Sequence, residues 1–359
     1  MKISILLLGI LFGFGAGRPP KSSSLQCVDE NGNNVDWYVV YKFPETYKSP
    51  VRILNGAGYM YITSDTVQKG WQVSSQSMEN STNLMARTIE NMYQDKSEEL
   101  WLVYNDQMTK YSDEAFFYSK YGHTKGVVGA DTEGGFWLVH SIPHFPTLES
   151  YEYPKTALRY GQSALCISMG SKELDKIGNA FKYNQPDFTK AKYSDELGAK
   201  FPTLKEAAEG GKAKKAPWYY DFQITSKGGV EFHTFAKGWS FGKDLYEWIA
   251  SSLDADVYAE TWQNEPGPLP ASCSIPKKVM NVKEVAYKNA QVDFSSHKDH
   301  SKWAISTSSA KPYVCIGDIN RAAPQEKRGG GSVCFLNKYV WKAYADIIVD
   351  KDSCDSFDR

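Results

Sequence analysis

Two short segments of the chain, far apart in sequence, share one uncommon arrangement of residues. His123-Thr124-Lys125 and His300-Ser301-Lys302 each place a histidine and a lysine two positions apart at the start of an apolar run, and 177 residues separate the histidines. Aligned without gaps, HTKGVVGADTEGGFWLVHSIP and HSKWAISTSSAKPYVCIGDIN both pass through small polar residues into a second apolar run, which begins 13 residues after the histidine. A strand–turn–strand unit used twice predicts a chain built from two similar halves.

The spacing within each segment predicts where its side chains lie. Residues i and i+2 of a β-strand point to the same face of the sheet. His123 and Lys125 are therefore expected to project together, and so are His300 and Lys302. If a pseudo-twofold axis relates the two halves, both pairs meet in one cleft.

The rest of the chain mixes strand and helix patterns. Aromatic and β-branched runs predict strands, and apolar residues at helical spacing predict helices. The predicted strands cover residues 36–44, 100–106, 126–130, 136–143 and 227–237, and the predicted helices cover residues 78–93 and 244–253. This mixture indicates the α/β class in its mixed α+β form. The small, basic segment 210–215 predicts an exposed linker, and the two halves are expected at residues 18–205 and 206–359.

The first 17 residues have the pattern of a cleavable signal peptide. Lys2 precedes an apolar run that ends in Gly15-Ala16-Gly17. A buried N-terminal helix is the alternative, but the glycines in the run disfavour a helix. The run is too short to span a bilayer, and no later segment is long and apolar enough, so no membrane anchor is expected.

Export would place the cysteines in an oxidising compartment. The chain has six cysteines, and none has the spacing of a zinc site, so three disulfides are expected and a metal site is not. Six cysteines allow 15 pairings, and the sequence pattern does not choose among them. Asn80-Ser81-Thr82 is a glycosylation sequon.

The net charge excludes one class of nucleic-acid-binding protein. With 41 basic and 42 acidic residues, the formal net charge is −1 at pH 7. Such a chain does not hold nucleic acid through bulk positive charge at neutral pH. The six histidines add positive charge in an acidic compartment, because their unperturbed pKa lies near 6.5. A polyanion is therefore expected to bind better at low pH.

Two histidines and two lysines in one cleft suit phosphoryl transfer without a metal. A neutral imidazole can attack phosphorus, and an imidazolium can protonate the leaving oxygen. The lysines would offset the charge on the non-bridging oxygens, and Ser141 and Asn320 would donate hydrogen bonds to them. Other catalytic patterns, such as a P-loop, a G-x-S-x-G elbow or H-E-x-x-H, are absent from the sequence.

Structural roles are the alternative for each of these residues. A lone His-x-Lys occurs often by chance, and its residues are ordinary strand residues in most proteins. His140 lies beside the predicted cleft, where contact with phosphate and a purely structural role are both open. Arg328, followed by three glycines, predicts either a phosphate contact or part of a flexible loop.

These motifs resemble the deoxyribonuclease II family, which is similar to the phospholipase D superfamily. The resemblance extends over nearly the whole mature chain and includes VDWYVVYKFP, GHTKGVVGAD, GGFWLVHSIPHFP, YGQSALC, DHSKW, CIGDINR and KRGGGSVC. It implies a phospholipase D-like fold in which two similar halves with mixed sheets surround one central active site. It also implies metal-independent cleavage of double-stranded DNA at acidic pH, leaving 3′-phosphate and 5′-hydroxyl ends, in a lysosomal or secreted enzyme.

The resemblance also implies a set of site residues. His123, Lys125, His300 and Lys302 would be catalytic, and we assign His123 as the nucleophile and His300 as the general acid. From their own chemistry and position we expect His140, Ser141, Asn320 and Arg328 to bind the substrate, and no cofactor or metal is implied. The implied disulfides are Cys27–Cys166, Cys273–Cys354 and Cys315–Cys334. Asn80 is the expected glycosylation site.

Two other functions fit the same scaffold. A secreted protein without activity that binds DNA or another partner would use the fold alone, although both His-x-Lys pairs are intact in this chain. A phosphodiesterase acting on phospholipid would keep the chemistry, but no amphipathic membrane-binding helix is evident.

Overall fold

Residues 25–45, 55–94, 96–107 and 121–354 are described by the structure, a computed structural model. Within these ranges the chain forms two large β-sheets and eight α-helices, which confirms the predicted mixed α/β class. The predicted signal peptide, residues 1–17, lies outside them. No helix in these ranges is long and apolar enough to cross a bilayer.

The first sheet has eight strands in the order β3-β2-β1-β7-β6-β5-β4-β8, and its strand pairs are antiparallel. Its strands are β1 (Trp37–Lys42), β2 (Tyr59–Thr63), β3 (Gln72–Val73), β4 (Leu100–Asn105), β5 (Lys125–Ala130), β6 (Gly134–His140), β7 (Gln162–Gly170) and β8 (Phe188–Lys192).

The second sheet has nine strands, eight of them in the order β13-β12-β11-β14-β15-β16-β10-β9, and β17 pairs with β12. Only β11 and β12 run parallel among its described strands. The strands are β9 (Tyr219–Thr225), β10 (Glu231–Lys237), β11 (Val257–Glu260), β12 (Val279–Tyr287), β13 (Val292–Ser295), β14 (Trp303–Ser306), β15 (Tyr313–Gly317), β16 (Gly330–Leu336) and β17 (Ile348–Lys351).

Short helices connect and cover the sheets. They are α1 (Leu84–Ile89), α2 (Ser171–Asp175), α3 (Ile177–Asn184), α4 (Asp195–Lys200), α5 (Pro202–Ala208), α6 (Leu245–Leu253), α7 (Ala323–Glu326) and α8 (Lys338–Ala345). The predicted helix over residues 78–93 is shorter than expected. Its α-helical part begins at Leu84, because the side chain of Asn83 accepts the Ala86 N–H and caps the helix there.

The two sheets share one strand order around the repeated segments. The run β4-β5-β6-β7-β1 in the first sheet corresponds to β11-β14-β15-β16-β10 in the second, and every neighbouring pair in both runs is antiparallel. The strand β5 begins at Lys125 of the first His-x-Lys pair, and β14 begins directly after Lys302 of the second. We call the parts of the chain that form the two sheets the N-terminal half and the C-terminal half.

The boundary predicted between residues 205 and 206 falls inside α5. That helix packs against α3 of the N-terminal half. We therefore place the division in the turn after α5, where the predicted linker 210–215 begins.

The strand β1 shows why several strands have apolar residues at consecutive positions rather than at alternating ones. All six of its residues are buried, because both faces of the sheet are covered. Trp37, Val39 and Tyr41 face the central core, whereas Tyr38 and Val40 face an outer core with α1. The Trp37 ring lies 5.4 Å from that of Phe335 in β16, so the two sheets pack together through aromatic side chains.

Three disulfides are present, Cys27–Cys166, Cys273–Cys354 and Cys315–Cys334, in the pairing that the resemblance implies. The first closes a loop of 139 residues and fastens the start of the described chain to β7. The last joins neighbouring strands across 19 residues. A cross-link removes more conformational entropy from the unfolded chain when it closes a longer loop.

Replacing Cys27 and Cys166 together with serine should lower the free energy of unfolding by about 2–5 kcal/mol. Urea denaturation without reductant would measure the change. The matched control replaces Cys315 and Cys334 with serine. Because this pair closes the shorter loop, its loss should be smaller, and an equal or larger loss would contradict the entropic account.

Candidate active site

The two His-x-Lys pairs lie where the ends of corresponding strands from the two sheets meet. Lys125 is the first residue of β5, and Lys302 immediately precedes β14. Both histidines thus lie just before their strands rather than inside them, a small correction to the predicted strand positions. The ring centroids of His123 and His300 are 6.4 Å apart. The two pairs, 177 residues apart in sequence, therefore form one cluster.

Each histidine is fixed by the backbone of the opposite half. The His123 N–H donates to the carbonyl of Gly329 at 2.8 Å, just before β16. The His300 N–H donates to the carbonyl of Gly161 at 2.9 Å, just before β7. Because β7 and β16 hold corresponding places in the two sheets, the contacts are reciprocal, as a pseudo-twofold arrangement requires.

The Nδ1 atoms of both rings also contact groups from the opposite half. His123 Nδ1 lies 2.9 Å from Gln325 Oε1. His300 Nδ1 lies 3.1 Å from the Ser141 carbonyl and 3.3 Å from Gln162 Oε1. At His123 the acceptor orients the ring and places the proton of the neutral imidazole on Nδ1, which leaves a lone pair on Nε2. At His300 the two acceptors orient the ring beside the Lys302 Nζ, which lies 3.0 Å from the same Nδ1.

A carboxylate fixes the orientation of the Gln325 amide. Glu265 accepts a hydrogen bond from Gln325 Nε2 and another from Asn320 Nδ2. The oxygen of the Gln325 amide must then face His123, which supports the Nδ1–H tautomer of that ring.

The lysines of the two pairs have different surroundings. Lys125 is buried and ion-paired with Asp106, whose second oxygen accepts from Arg328 Nη2 at 2.7 Å. Lys302 is also buried, and its Nζ lies 2.7 Å from the His300 carbonyl and 3.0 Å from His300 Nδ1. One lysine is therefore neutralised by a carboxylate, whereas the other lies directly against an imidazole.

Burial and positive charge lower the pKa of both histidines. The rings are 7% and 6% exposed for His123 and His300. Burial lowers the pKa of His123 well below its usual 6.5, and the charges of Lys125, Arg328 and Lys302 lower it further. For His300, burial again has the largest effect on the pKa, followed by Lys302, Lys125 and His123. The two rings disfavour each other's charged form, so they titrate as a pair.

Two further buried lysines hold the loops that reach across the cluster. Lys42, at the end of β1, donates from Nζ to the carbonyls of Ala157 and Leu158, which precede Gly161 and Gln162. Lys237, at the end of β10, donates to the carbonyls of Gln325, Glu326 and Arg328. Because β1 and β10 hold corresponding places, each half fastens its loop with an ammonium group.

The predicted substrate-binding residues lie near the cluster but differ in access. Ser141 and Asn320 are each 1% exposed. The Ser141 hydroxyl donates to Gln162 Oε1 at 2.6 Å, whereas Asn320 Oδ1 is without a partner in the described chain. Arg328 is more open, with a side chain 16% exposed. Of the three, Arg328 is best placed to meet a phosphate.

His140 has a different environment from that predicted. It is fully buried, its ring packs against Phe145, and its Nδ1 accepts the Ile142 N–H at 3.2 Å. Burial, with a smaller effect of Lys125, lowers its pKa to about 3. This environment favours a structural role, the alternative left open by the sequence, over contact with substrate.

The three glycines after Arg328 do not form an open phosphate cradle. Gly330 and Gly331 begin β16, and the Gly331 N–H donates to Asp318 Oδ1 at 2.8 Å. Glycine is required here because a Cβ at Gly331 would lie 2.2 Å from the Phe235 carbonyl of the neighbouring strand. These residues therefore serve the close approach of two strands.

Sequence reasoning missed several residues of the cluster. Asp106 could have been predicted from the sequence, since it is the last residue of a predicted strand, and that strand pairs with the strand that carries Lys125. Gln162 lies in the YGQSALC motif, but its role depends on contact with the other half. Gln325 and Glu265 have no signal of their own in the sequence. Trp262, whose ring lies 5.2 Å from that of His300, forms a wall of the site.

Comparison with known proteins identifies the family. A family model described as Deoxyribonuclease II matches residues 26–354. The chain is 35% identical to Deoxyribonuclease-2-alpha of Sus scrofa, covering 99% of this chain and 96% of the relative. It is 36% identical to Plancitoxin-1 of Acanthaster planci, covering 93% of each. It is 34% identical to Cell death-related nuclease 6 of Caenorhabditis elegans, covering 93% of this chain and 90% of that one.

The family model spans nearly all of the described chain, including both His-x-Lys pairs and all six cysteines. The identities extend over the full length of the relatives rather than over one half. The chain therefore belongs to the deoxyribonuclease II family.

Proposed function

We propose that the protein is an acid endonuclease that hydrolyses phosphodiester bonds of double-stranded DNA without a metal and leaves 3′-phosphate and 5′-hydroxyl ends. Membership of the deoxyribonuclease II family supports a hydrolytic nuclease with DNA as substrate. The observation that carries the mechanism is the approach of His123 and His300 to 6.4 Å, with each Nδ1 held by the opposite half.

In the first step, Nε2 of neutral His123 attacks phosphorus. The bond from phosphorus to O5′ breaks, and O5′ takes the proton from Nε2 of the His300 imidazolium. The products of this step are a 5′-hydroxyl end and a phosphohistidine whose phosphorus stays bonded to O3′ of the fragment on the 5′ side of the cleaved bond. The Gln325 contact at Nδ1 supports this role, because it directs the lone pair of His123 to Nε2.

In the second step, a water molecule loses a proton to Nε2 of His300 and attacks the same phosphorus. The bond from phosphorus to His123 breaks, which releases a 3′-phosphate and restores both rings. Lys125, Lys302 and Arg328 offset the negative charge on the non-bridging oxygens during both steps. Both steps keep the proton count balanced within the histidine pair.

The lowered pKa values explain why acid should be the working condition. The proposed acid His300 must carry a proton, and its pKa lies well below 6.5. The proposed nucleophile His123 must be neutral, and its own lowered pKa keeps it so in moderate acid. Like-charge repulsion separates the two protonation steps, so the active, singly protonated pair is populated between them.

The three disulfides support a place of action in an oxidising compartment, either outside the cell or in the lysosome. The signal pattern in residues 1–17 agrees with this, and Asn80 is exposed, as a glycosylation site must be. Both features remain predictions.

Replacing His123 or His300 with alanine should lower the rate of plasmid nicking near pH 5 by about 10²–10⁴-fold or more, because each step needs both rings. Wild-type activity should persist in excess EDTA. His233→Ala is a matched control, since that ring is bonded to Asp221 rather than to the cluster. Loss of wild-type activity in EDTA would exclude the metal-free route, and binding of DNA without cleavage would favour a non-catalytic protein.

The roles of the two histidines should be separable by trapping the covalent intermediate. With His123 as nucleophile, a phosphoenzyme that carries the label of the 5′-side fragment of the DNA should form in His300→Ala and be absent in His123→Ala. Quenching with denaturant at alkaline pH, where the phosphorus–nitrogen bond is stable, followed by gel electrophoresis would detect it with a substrate whose leaving group needs no acid. The opposite pattern would exchange the two roles.

Replacing Asp106 with asparagine should move the acidic limb of the pH profile of kcat/KM to lower pH. The change leaves the charges of Lys125 and Arg328 uncompensated, and both charges lower the pKa of His123. His123 would then stay neutral at a lower pH. An unmoved acidic limb with a shifted basic limb would indicate that His123 is the acid rather than the nucleophile.

A further inference from the structure

A second cleft adjoins the histidine cluster, and the mechanism does not use it. It has a volume of about 620 Å³ and is lined by aromatic, cationic and amide side chains. We call it the Trp239 cleft and define it by Phe181, Tyr183, Asn184, Lys212, Trp239 and Lys327. Gly122, next to His123, and Arg328, which is linked to Lys125 through Asp106, also line it. A strand bound at the histidines would therefore have its neighbouring nucleotide beside this cleft.

Phe181 belongs to the core beneath the cleft, whereas Trp239 and Tyr183 offer ring faces to a ligand. Trp239 is 65% exposed, the highest value among the exposed large apolar residues of the described chain. Tyr183 stacks on Tyr220 with ring centroids 5.7 Å apart and planes 11° apart, and Tyr220 is itself exposed. Exposed aromatic rings next to a nucleic-acid site provide platforms on which bases stack.

The charges around the cleft suit the backbone of the same ligand. Lys212, Lys327 and Arg328 contribute cations to its lining. Asp187 is a carboxylate in the same lining, so the cleft is not uniformly positive. Cations beside aromatic rings are the combination by which proteins hold single-stranded nucleic acid.

We propose that the Trp239 cleft binds an unpaired base of the DNA strand being cleaved, next to the scissile phosphate. The base stacks on Trp239, and the adjoining phosphate lies near Lys212 and Lys327. This proposal rests on the proposed nuclease function and adds a subsite to it. A base must leave the duplex stack to enter the cleft, so the subsite takes single-stranded or locally opened DNA.

The test compares two single-stranded oligonucleotides of equal length, one with normal bases and one with abasic nucleotides throughout. For Trp239→Ala, KM for the normal oligonucleotide should rise about tenfold, because stacking contributes about 1–3 kcal/mol per base. The kcat should stay unchanged, since the cleft does not touch the reacting atoms. KM for the abasic oligonucleotide should not change, because it has no base to stack.

Two further variants serve as controls in the same assay. Trp239→Phe keeps an aromatic face and should restore most of the affinity for the normal oligonucleotide. Leu336→Ala removes an apolar side chain that is 53% exposed but lies outside the cleft, and it should leave both KM values unchanged.

Some outcomes would overturn the subsite. An unchanged KM of Trp239→Ala for the normal oligonucleotide, or an equal rise for both oligonucleotides, would exclude base stacking in the cleft. If the wild-type protein nicks double-stranded plasmid DNA but cleaves neither oligonucleotide, the subsite for unpaired bases is excluded, whereas failure to nick plasmid DNA would refute the nuclease function itself. The two failures are therefore distinguishable.

Discussion

The reciprocal hold of each half on the other half's histidine is the constraint on which the site depends. His123 takes its backbone acceptor from Gly329 and its ring acceptor from Gln325. The backbone N–H of His300 donates to the Gly161 carbonyl, and its ring contacts the Ser141 carbonyl and Gln162. Neither ring is oriented by its own half alone. Any relative movement of the two sheets would disturb both rings at once, and the aromatic packing between the sheets opposes such movement.

The cost of burying so many cations in one place also accounts for the chemistry. Four ammonium groups, those of Lys42, Lys125, Lys237 and Lys302, are each no more than 1% exposed. Lys42 and Lys237 are stabilised by backbone carbonyls, whereas Lys125 has Asp106. Lys302 lies against the imidazole of His300 instead. Burial has the largest effect on the pKa of His300, and the charge of Lys302 lowers that pKa further, so the ring takes up a proton only in acid.

Much of the fold could be predicted because its signals are local. The strands at 37–42, 100–105 and 134–140 follow from aromatic and β-branched runs, and the repeated His-x-Lys segments indicated the duplication. The strand order within each sheet could not be predicted, since pairing depends on contacts between distant residues. The short α1 shows a different limit, because the cap at Asn83 overrides an apolar pattern that begins earlier.

The residues of the site also fall into those that the sequence predicted and those that it could not predict. The spacing of the two pairs predicted His123, Lys125, His300 and Lys302 as one cluster, and the geometry brings them together. The sequence could not indicate that His140 is enclosed, because its burial depends on how the loop that follows β6 folds Phe145 back against the ring. Gln325 was missed because its contact with the His123 ring joins one half of the molecule to the other, and no local pattern in the sequence indicates such a contact.

The reciprocal glutamine contacts have a consequence for the origin of such a chain. An ancestor of half the length would carry one imidazole without its orienting amide, and it could act only as a symmetric homodimer. In such a dimer both histidines are chemically identical, and attack and protonation are shared at random between subunits. In one polypeptide the two rings are not equivalent, because Lys125 is ion-paired with Asp106 whereas Lys302 lies against the imidazole of His300. A single chain thus allows the surroundings of the two rings to differ, which a symmetric homodimer does not.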